Sequence, residues 1–469
     1  MIEPYRLRPV PPRVGLLLEP GNRVLVEGAG ELAYSALPPD VSVFAAGELV
    51  RDLLARGIGE ALAWNNAPVR FRPSRSPHPE LWRTRSSDAR VLALPFPASA
   101  NEALLGLEHW RDWLADYGAS PLGSLGSSGF SLLKATLRGP LWTGVGDRPP
   151  VRFTLGGRQE LGPAGRGAFE GRLEHWDLPA AYARTLGSLR YGGWWRKVDV
   201  GYPWERAHAR GALVFLRARV KVPEGLVFGP LPRRPRRQPR VLSWHALELA
   251  LADEAPFEYP RGTTLQGCWT WDELRAALDA GAELRAILDV WVHVAEEHSL
   301  PFWPWWQAVE HGRRMRGFAG LLAKATGNAT WGQFAIRRDG SRDVISYTRR
   351  ADAVRIRKRP LPVHGSRPGA PDLAEQLTGK VRAELYSFMV AAGESLLSAH
   401  TDGAWTRHLG FRPAGWRLDD RAVRLELLGP QELRYWRPGA EEPSYTVSGV
   451  PERLAPESFE RQWQIATAS

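Results

Sequence analysis

Residues 396–405 read LLSAHTDGAW, and this stretch decides how the rest of the chain is interpreted. Apolar residues stop at a short polar segment that holds a single acid, Asp402, and they resume at residues 404–405. Because Asp and Gly adopt turn geometry readily, the pattern predicts a β-hairpin with Asp402 at its tip. The simplest interpretation is a surface turn without chemistry. A functional carboxylate would need partners from elsewhere in the chain.

Composition limits the class of protein. A chain of 469 residues is expected to form two or three domains, and 43% hydrophobic with 24% charged residues is normal for a folded globular protein. The net charge of +11 favours a polyanionic partner, most often nucleic acid. A generally basic proteome, rich in Arg, explains the same charge equally well. Charge alone therefore leaves both explanations open.

Cysteine and targeting signals restrict the compartment. The single cysteine, Cys268, excludes an internal disulfide and a cysteine-based zinc site, which favours a cytoplasmic protein. The first 15 residues lack the pattern of a signal peptide, and the longest apolar window is interrupted by charges, so no membrane association is expected. Among the 21 tryptophans, the cluster at 301–306 suits core packing or base stacking.

Several segments have clear secondary-structure patterns. Residues 14–145 read as a mixed α/β unit, and a Pro/Gly-rich break follows at 138–150. A strand is expected to end at Asp177, before a short helix. The segment from Thr270 predicts a capped helix followed by a strand, and 306–336 predicts one long basic helix or two. The Pro-broken basic run RRPRRQPR is a solvated loop or a phosphate-contacting edge.

Three separated stretches carry candidate chemistry. They are the strand end with Asp177 and Tyr182, the helical face with Lys324, Asn328 and Trp331, and the hairpin with Asp402. Transfer of a nucleotide to a growing chain uses two metal ions, and Mg²⁺ prefers carboxylate oxygens. Two acids on neighbouring strands can hold such ions, while a cationic helix binds the triphosphate. Each stretch alone is weak, because an Asp at a strand end usually caps a helix.

Taken in order, these stretches resemble family B DNA polymerases, in particular the branch of protein-primed phage and plasmid enzymes. That family carries Asp-x-x-Ser-Leu-Tyr-Pro, then Lys-x-x-x-Asn-Ser-x-Tyr-Gly, then Tyr-x-Asp-Thr-Asp-Ser. This chain has DLPAAYA from Asp177, KATGNATWG from Lys324, and LSAHTDG ending at Gly403. The resemblance covers roughly residues 150–450, and the Lys-to-Gly helix is its most specific element.

The resemblance implies an α/β multidomain fold. We expect a right-hand polymerase with palm, fingers and a small thumb, and an N-terminal RNase H-like domain of the exonuclease type. The expected boundaries are 1–145 for a degenerate 3′–5′ exonuclease-like domain, 146–225 for the first part of the palm, 226–285 for an insertion or palm extension, 286–340 for the fingers, 341–420 for the second part of the palm and 421–469 for the thumb.

Site residues follow from their positions in the motifs. The resemblance makes Asp177 and Asp402 the catalytic, metal-binding pair for two Mg²⁺, or Mn²⁺. The residues expected at the nucleotide are Leu178 through its carbonyl, Tyr182 as the sugar-selecting tyrosine, Lys324 on the phosphates, Asn328, Trp331, Arg313 and Arg314. For the two arginines, a solvated basic helix face is at least as good an explanation. The residues expected at DNA are Gly156, Gly157 and Arg158 in TLGGRQE, and Arg434 and Tyr435 in QELRYWRPG.

The motifs also depart from the family. His400 replaces the first Asp of the Asp-Thr-Asp triplet, which reduces negative charge beside the expected metals and puts activity in doubt. Trp331 replaces a Tyr, Ala180 a Ser and Ala183 a Pro. Asp402 retains the position of the acid that bridges both metals in the family.

The expected exonuclease domain lacks its acids. The family carries Asp-x-Glu on the first strand, whereas this chain has Leu17 and Glu19 there. In the second exonuclease motif, Val69 and Arg70 occupy the place of the Asp. Without those carboxylates two metals cannot bind, so we expect a scaffold without 3′–5′ activity.

The leading hypothesis is a template-directed DNA polymerase without proofreading, with primer-template DNA and dNTPs as partners. A catalytically weakened polymerase-like accessory that binds DNA is the alternative, favoured by His400. An unrelated metal-dependent nuclease or transferase would need more acids around Asp402, and none lie nearby in sequence. The stretch 187–300 is long enough to hold an insertion that grips a priming protein. A monomer is expected.

Overall fold

The structure is a computed structural model whose chain divides into two compact units. Unit 1 comprises Met1–Arg138 and Phe302–Gln333, and unit 2 comprises Gly139–Pro301 and Phe334–Ser469. The structure describes residues 13–18, 23–33, 41–46, 63–64, 67–68, 81–83, 90–94, 100–121, 125–137, 147–151, 157–233, 242–243, 258–294, 300–334, 341–350, 353–362, 370–430, 432–447, 459–460 and 463–464.

The secondary structure is mixed. The helices are α1 Ala100–Asp116, α2 Leu125–Thr136, α3 Ala181–Ser188, α4 Trp204–Ala209, α5 Trp271–Asp279, α6 Trp303–Arg313, α7 Gly317–Thr330 and α8 Pro371–Ala392. The strands are β1 Arg13–Leu18, β2 Arg23–Val26, β3 Gly30–Ala33, β4 Val41–Ala46, β5 Ala63–Trp64, β6 Ala67–Pro68, β7 Leu81–Arg83, β8 Arg90–Leu94, β9 Gln159–Leu161, β10 Gly167–Asp177, β11 Trp194–Val198, β12 Leu213–Val222, β13 Leu242–Ser243, β14 Thr263–Thr270, β15 Glu283–Val294, β16 Ser341–Arg350, β17 Ala353–Pro362, β18 Leu396–His400, β19 Gly403–Arg407, β20 Arg417–Gly429, β21 Glu432–Trp436 and β22 Ser444–Val447.

Unit 1 contains a six-stranded sheet with the order β3-β2-β1-β4-β8-β7. Strand β1 is antiparallel to β2 and parallel to β4, and β4 is parallel to β8. Helices α1, α2, α6 and α7 pack together beside one another in this unit. Trp110 on α1 is fully buried and its Nε1 donates a 3.1 Å hydrogen bond to Oγ1 of Thr326 on α7. The segment predicted as one basic helix or two therefore forms two, α6 and α7.

Unit 2 contains a seven-stranded sheet with the order β22-β21-β20-β10-β19-β18-β9. All the neighbouring strands are antiparallel. One face carries alternating apolar residues, as expected for an antiparallel sheet with one buried side. Leu173, Leu397, Trp405 and Leu425 belong to this buried cluster. The predicted hairpin is confirmed, because β18 and β19 are joined by the two residues Thr401 and Asp402.

A second sheet of unit 2 has the order β11-β15-β12-β14 and packs with α4 and α5. Val214, Leu216 and Val290 lie in its core. The predicted cap at the start of α5 is confirmed. The Thr270 side chain accepts from the Glu273 backbone N–H at 3.3 Å, and the Glu273 carboxylate accepts from the Thr270 backbone N–H at 3.1 Å. A capping box of this kind satisfies amide groups that a helix start leaves free.

Helix α8 is buried over most of its length and contacts β14 of the four-stranded sheet and β18 of the seven-stranded sheet. Gln376 donates a 2.9 Å hydrogen bond to the backbone carbonyl of Val214 on β12. The guanidinium of Arg382 is 2% exposed and pairs with the carboxylates of Glu273 and Glu375. Since each of these buried charges has a partner, the helix can pass through the interior of the unit.

Two of the expected segments begin inside a strand of the structure. The segment expected as fingers, 286–340, begins inside β15, and its helices α6 and α7 cluster with the N-terminal region. The segment expected as thumb, 421–469, begins inside β20 and continues the seven-stranded sheet through β21 and β22. The positions of these segments depend on pairing between strands that are far apart in sequence. Local sequence patterns do not reveal such pairing. Among the described residues no helix is long and apolar enough to cross a membrane.

Candidate active site

The structure brings Asp177 and Asp402 to the same end of the seven-stranded sheet. Asp177 is the last residue of β10 and lies opposite Gly403, the first residue of β19. The backbone N–H of Leu178 donates a 2.8 Å hydrogen bond to the carbonyl oxygen of Asp402. Two acids from distant parts of the chain are therefore held close together, one at the end of β10 and one in the turn that leads into the neighbouring strand β19.

The backbone beside each acid adopts a left-handed conformation. Ala180 has φ of 52° and Thr401 has φ of 49°, and they are the only non-glycine residues with positive φ in the part of the chain that the structure describes. Such conformations are strained for residues with a Cβ and concentrate at functional sites. The Thr401 N–H donates to the Arg158 carbonyl at 2.7 Å, and its hydroxyl donates to Oδ1 of Asp402 at 2.8 Å. These bonds hold the strained turn and orient the carboxylate.

Tyr182 lies buried in α3, close to the hairpin turn. Burial raises the pKa of its phenol, and the negative charge of Asp402 raises this pKa further, so the hydroxyl keeps its proton. Gly157 closes over the ring: a Cβ at Gly157 would lie 2.8 Å from the Tyr182 hydroxyl and 2.8 Å from Cγ2 of Thr401. A side chain at position 157 would therefore displace the tyrosine or the turn. Gly156 lies outside the described residues.

His400 is neutral in the folded protein. Its ring stacks on the ring of His175, with centroids 5.5 Å apart and an interplanar angle of 17°. Burial lowers the pKa of His400 to about 3, and the neighbouring His175 contributes to the decrease. The substitution of an acid by His400 thus removes a negative charge from the site without adding a positive one at neutral pH.

An arginine and a third acid, Arg417 and Asp419, lie beside Asp177 and were not predicted from the sequence. Arg417 is the register partner of Asp177 on β20. Its Nη2 lies 3.0 Å from Oδ2 of Asp177 and 2.8 Å from Oδ1 of Asp419. The stretch RLDD carries no local signal for such a site, because charged residues at the start of a strand are common. Only the pairing of β10 with β20 reveals the contact.

The donors at this site suit a hard divalent cation. The side chain of Asp177 is 27% exposed, and the Arg417 guanidinium contacts its Oδ2. The Leu178 carbonyl accepts a 3.2 Å hydrogen bond from the N–H of Ala181 and has a second lone pair. Among the described residues no group of three or more His, Cys, Asp or Glu could hold a metal ion. The oxygen atoms at the site are those of two carboxylates and the Leu178 carbonyl, and oxygen is the ligand type that Mg²⁺ prefers.

The other residues expected at the nucleotide lie in unit 1, whereas Asp177 and Asp402 lie in unit 2. On α7, Lys324 is exposed and Asn328 is half-buried, and Trp331 is half-buried in the 3₁₀ turn that follows the helix. Arg313 ends α6 and is half-buried, and Arg314 is exposed with Nη2 3.4 Å from Oε1 of Glu310. Their contacts with a nucleotide stay predictions.

Arg158 does not expose its side chain for DNA. It is 1% exposed, and its Nε donates a 2.5 Å hydrogen bond to Oε2 of Glu160. The guanidinium also donates to the carbonyl of Gly229 at 2.7 Å and lies 3.9 Å from the ring centroid of Tyr259. The arginine side chain stabilises the interior of unit 2, and its carbonyl holds the turn at Thr401. A contact of Arg158 with DNA stays a prediction.

Arg434 and Tyr435 are also engaged within the protein. The Arg434 side chain is 14% exposed and forms ion pairs with Glu426, at 2.5 Å, and with Glu460. The Tyr435 hydroxyl donates a 2.9 Å hydrogen bond to Oδ2 of Asp420. These pairs favour a structural role for both side chains in the sheet.

Comparisons with known proteins reveal a shared fold. No family model matches the chain, and no curated protein matches it. Three solved structures of phi29 DNA polymerase are similar. The ternary complex with primer-template DNA and incoming nucleotide substrates has a TM-score of 0.54 at 12% identity and covers 89% of this chain and 85% of that chain.

The complex of the same enzyme with single-stranded DNA has a TM-score of 0.52 at 12% identity and the same coverage. The orthorhombic crystal form has a TM-score of 0.50 at 14% identity and covers 76% of this chain, which spans 64% of that chain. At this identity the likeness establishes the fold. The expectation of a polymerase-like fold is confirmed in this form: the chain shares the fold of phi29 DNA polymerase.

Proposed function

We propose that the protein is a template-directed DNA polymerase that transfers nucleotides from dNTPs to a primer 3′ end. The observation that carries the proposal is the placement of Asp177 beside the Asp402 turn in one antiparallel sheet, in a fold shared with phi29 DNA polymerase. The neighbour's structures contain primer-template DNA and nucleotides, which are the partners that we propose for this chain.

In this proposal Asp177 and Asp402 hold two Mg²⁺, together with the Leu178 carbonyl. Bound Mg²⁺ activates the attacking hydroxyl and neutralises the leaving pyrophosphate. The chain's own residues position the donors: Thr401 orients the Asp402 carboxylate through its hydroxyl. Tyr182, held under Gly157, packs beneath the sugar of the incoming nucleotide and excludes a 2′-hydroxyl.

The phosphate contacts that we propose from the resemblance are residues of unit 1. Lys324 is exposed on α7, where its ammonium is available to a triphosphate, and Asn328 lies one turn further along the same face. The positively charged chain as a whole favours association with nucleic acid. A phosphate contact by Arg313 or Arg314 is less well supported, because Arg314 already faces Glu310.

We further propose that the N-terminal domain has no proofreading activity. The order β3-β2-β1-β4-β8, with an antiparallel pair on one side of β1 and parallel strands on the other, agrees with an RNase H-like domain. Leu17 lies on β1 where the family has an acid, and Glu19, Val69 and Arg70 lie outside the described residues. Loss of a single-stranded 3′ end in Mg²⁺, abolished by Glu19→Ala, would contradict this proposal.

A polymerase-like accessory that binds DNA without extending it is the second candidate. His400 in place of an acid favours it, as does the contact of Arg417 with Asp177. Extension of a labelled primer in Mg²⁺ and in Mn²⁺, with DNA binding measured in parallel, separates the two candidates. The polymerase proposal predicts dNTP-dependent extension in at least one metal. Binding without extension in either metal supports the accessory.

We also propose that the protein is a monomer and that it binds a priming protein. The four-stranded sheet that contains β12 and β15 lies between the two acids in sequence and supplies a folded surface of its own. Its role in gripping a priming protein is proposed from its place in the chain. Pull-down of a terminal protein by the full chain, compared with the Trp194→Ala variant, whose side chain is 48% exposed on β11 of this sheet, tests it.

A further inference from the structure

We propose that Arg417 is a built-in cation that occupies Asp177 until a divalent metal binds, and that Asp419 receives Arg417 when the metal displaces it. The inference rests on the proposed function, because it concerns the metal site of that function. It assigns roles to two residues that the motifs do not contain.

The contact between Arg417 and Asp177 is fixed by strand register. Asp177 ends β10 and Arg417 begins β20, and the two are direct partners across the ladder. Residues that face each other in an antiparallel pair project their side chains to the same side of the sheet. Asp419 lies at the register shift that follows in β20, where the ladder passes from Leu418 to Asp420. Its carboxylate still reaches Arg417, with Oδ1 2.8 Å from Nη2, so the three side chains meet at the sheet end.

A single nitrogen of Arg417 bridges the two acids. Its Nη2 lies 3.0 Å from Asp177 and 2.8 Å from Asp419, so each carboxylate can accept one of the two hydrogens on that nitrogen. A divalent metal at Asp177 carries twice the charge and would repel the guanidinium. Arg417 could then keep its bond to Asp419 with little movement. The geometry makes Asp419 an acceptor that lowers the cost of releasing Asp177.

The exposure of the three groups allows the exchange. The side chains of Arg417, Asp419 and Asp177 are 53%, 45% and 27% exposed. Ion pairs at this exposure are weak, so they break easily when a stronger cation arrives. His175, whose Nδ1 lies 3.8 Å from Oδ2 of Asp419, faces the second oxygen of that carboxylate and leaves Oδ1 to the arginine. Metal binding should thus be weakened, though not prevented, by Arg417.

The test measures the affinity of the full-length protein for Mn²⁺ without DNA or nucleotide. The electron paramagnetic resonance signal of free Mn²⁺ reports how much of the metal is unbound. Arg417→Gln should tighten Mn²⁺ binding about two- to fivefold, because an exposed ion pair no longer competes. Asp419→Asn should weaken it by a similar factor, since Arg417 then pairs with Asp177 alone. Circular dichroism and thermal melting confirm that each variant is folded.

Arg437→Gln is the matched control. Arg437 is also 53% exposed and pairs with an aspartate of β20, but its partner is Asp420 at 2.8 Å. The Arg437→Gln variant removes the same charge from a similar ion pair. It should leave the Mn²⁺ affinity within about twofold of that of the wild type. An equal gain in the control and in Arg417→Gln would overturn the proposal, because the effect would then be net charge.

The double variant Arg417→Gln/Asp419→Asn separates an indirect role of Asp419 from direct metal binding. If Asp419 acts through Arg417, the double variant binds Mn²⁺ within about twofold of Arg417→Gln. If the double variant binds more weakly than that, Asp419 is itself a ligand and the proposal is wrong.

Asp177→Asn distinguishes failure of this inference from failure of the proposed function. It should weaken Mn²⁺ binding at least about tenfold, since it removes a proposed ligand. Unchanged Mn²⁺ binding by Asp177→Asn would contradict the proposed metal site and therefore the polymerase proposal. Weaker binding in Asp177→Asn together with unchanged binding in Arg417→Gln overturns only the role of Arg417.

Discussion

The backbone N–H of Leu178 and the carbonyl oxygen of Asp402 are joined by a 2.8 Å hydrogen bond that links the end of β10 to the turn between β18 and β19. The bond involves no side chain. The separation of the two acids is therefore set by the backbone of the sheet, and changes to either carboxylate should leave the architecture intact. This property makes the site suitable for tests by conservative substitution.

Gly157 is expected to be required for nucleotide use. A Cβ at this position would lie 2.8 Å from the Tyr182 hydroxyl and 2.8 Å from Thr401 Cγ2, so Gly157→Ala must shift the tyrosine or the turn. We expect kcat/KM for dNTP incorporation to fall about 10- to 100-fold, the cost of a small misplacement in an active site. Gly201→Ala is the control, because no atom lies within 4 Å of its Cβ position. Equal activity of both variants would argue against the role of Tyr182.

The local patterns predicted much of this region. The hairpin around Asp402, the strand that ends at Asp177 and the capping box of α5 each follow from nearby residues, and the structure confirms them. Turn chemistry and hydrophobic alternation act over a few residues, so a sequence displays them directly. The strand partners of Asp177 could not be predicted in this way, because pairing depends on contacts across hundreds of residues.

The buried arginine of α8 should be essential for folding of unit 2. Arg382 is 2% exposed, and its Nε donates a 2.9 Å hydrogen bond to Glu273 Oε1, beside Glu375. Arg382→Leu leaves two buried carboxylates without their cation, and the free energy of unfolding should fall by about 3–5 kcal/mol. Urea denaturation measures the change. Arg275→Gln, which breaks an exposed pair with Asp279, should cost less than about 0.5 kcal/mol. A similar small loss for both variants would contradict this account of α8.

Stability should fall in mild acid because of a buried histidine. His293 is 1% exposed and stacks on Tyr191. Burial lowers its pKa to about 4, and the charge of Asp372 offsets only part of this. Between the unfolded value of about 6.5 and the folded value, the unfolded chain binds more protons, so the free energy of unfolding decreases as pH falls through this range.

The expected contribution of His293 is at most about 3 kcal/mol, present above about pH 6.5 and lost towards pH 4. Urea denaturation of unit 2 at several pH values should show a shallower acid slope for His293→Gln than for the wild type. Identical slopes for the two proteins would mean that His293 binds its proton equally well in the folded and unfolded states, which would contradict the account.

Side-chain roles were harder to predict than backbone elements. Arg158 lies in a motif-like TLGGRQE segment, yet the structure buries its guanidinium against Glu160 and Tyr259. A basic residue in a Gly-rich segment reads as exposed, because the two aromatic rings that cover it, Tyr259 and Tyr386, are far away in sequence. Arg417 shows the reverse case. It is a charged residue at the start of a strand, with nothing unusual in its local sequence, and it belongs to the site because it is paired with Asp177.

The central claim is that Asp177 and Asp402 together support metal-dependent nucleotide transfer. Single-nucleotide incorporation on a primer-template should be measured for the wild type, Asp177→Asn and Asp402→Asn, with Asp279→Asn, an exposed acid on the same unit, as control. We predict that either site variant loses at least about 100-fold in rate while it retains DNA binding and its melting temperature, and that Asp279→Asn matches the wild type. Incorporation at the wild-type rate by either site variant would contradict the claim.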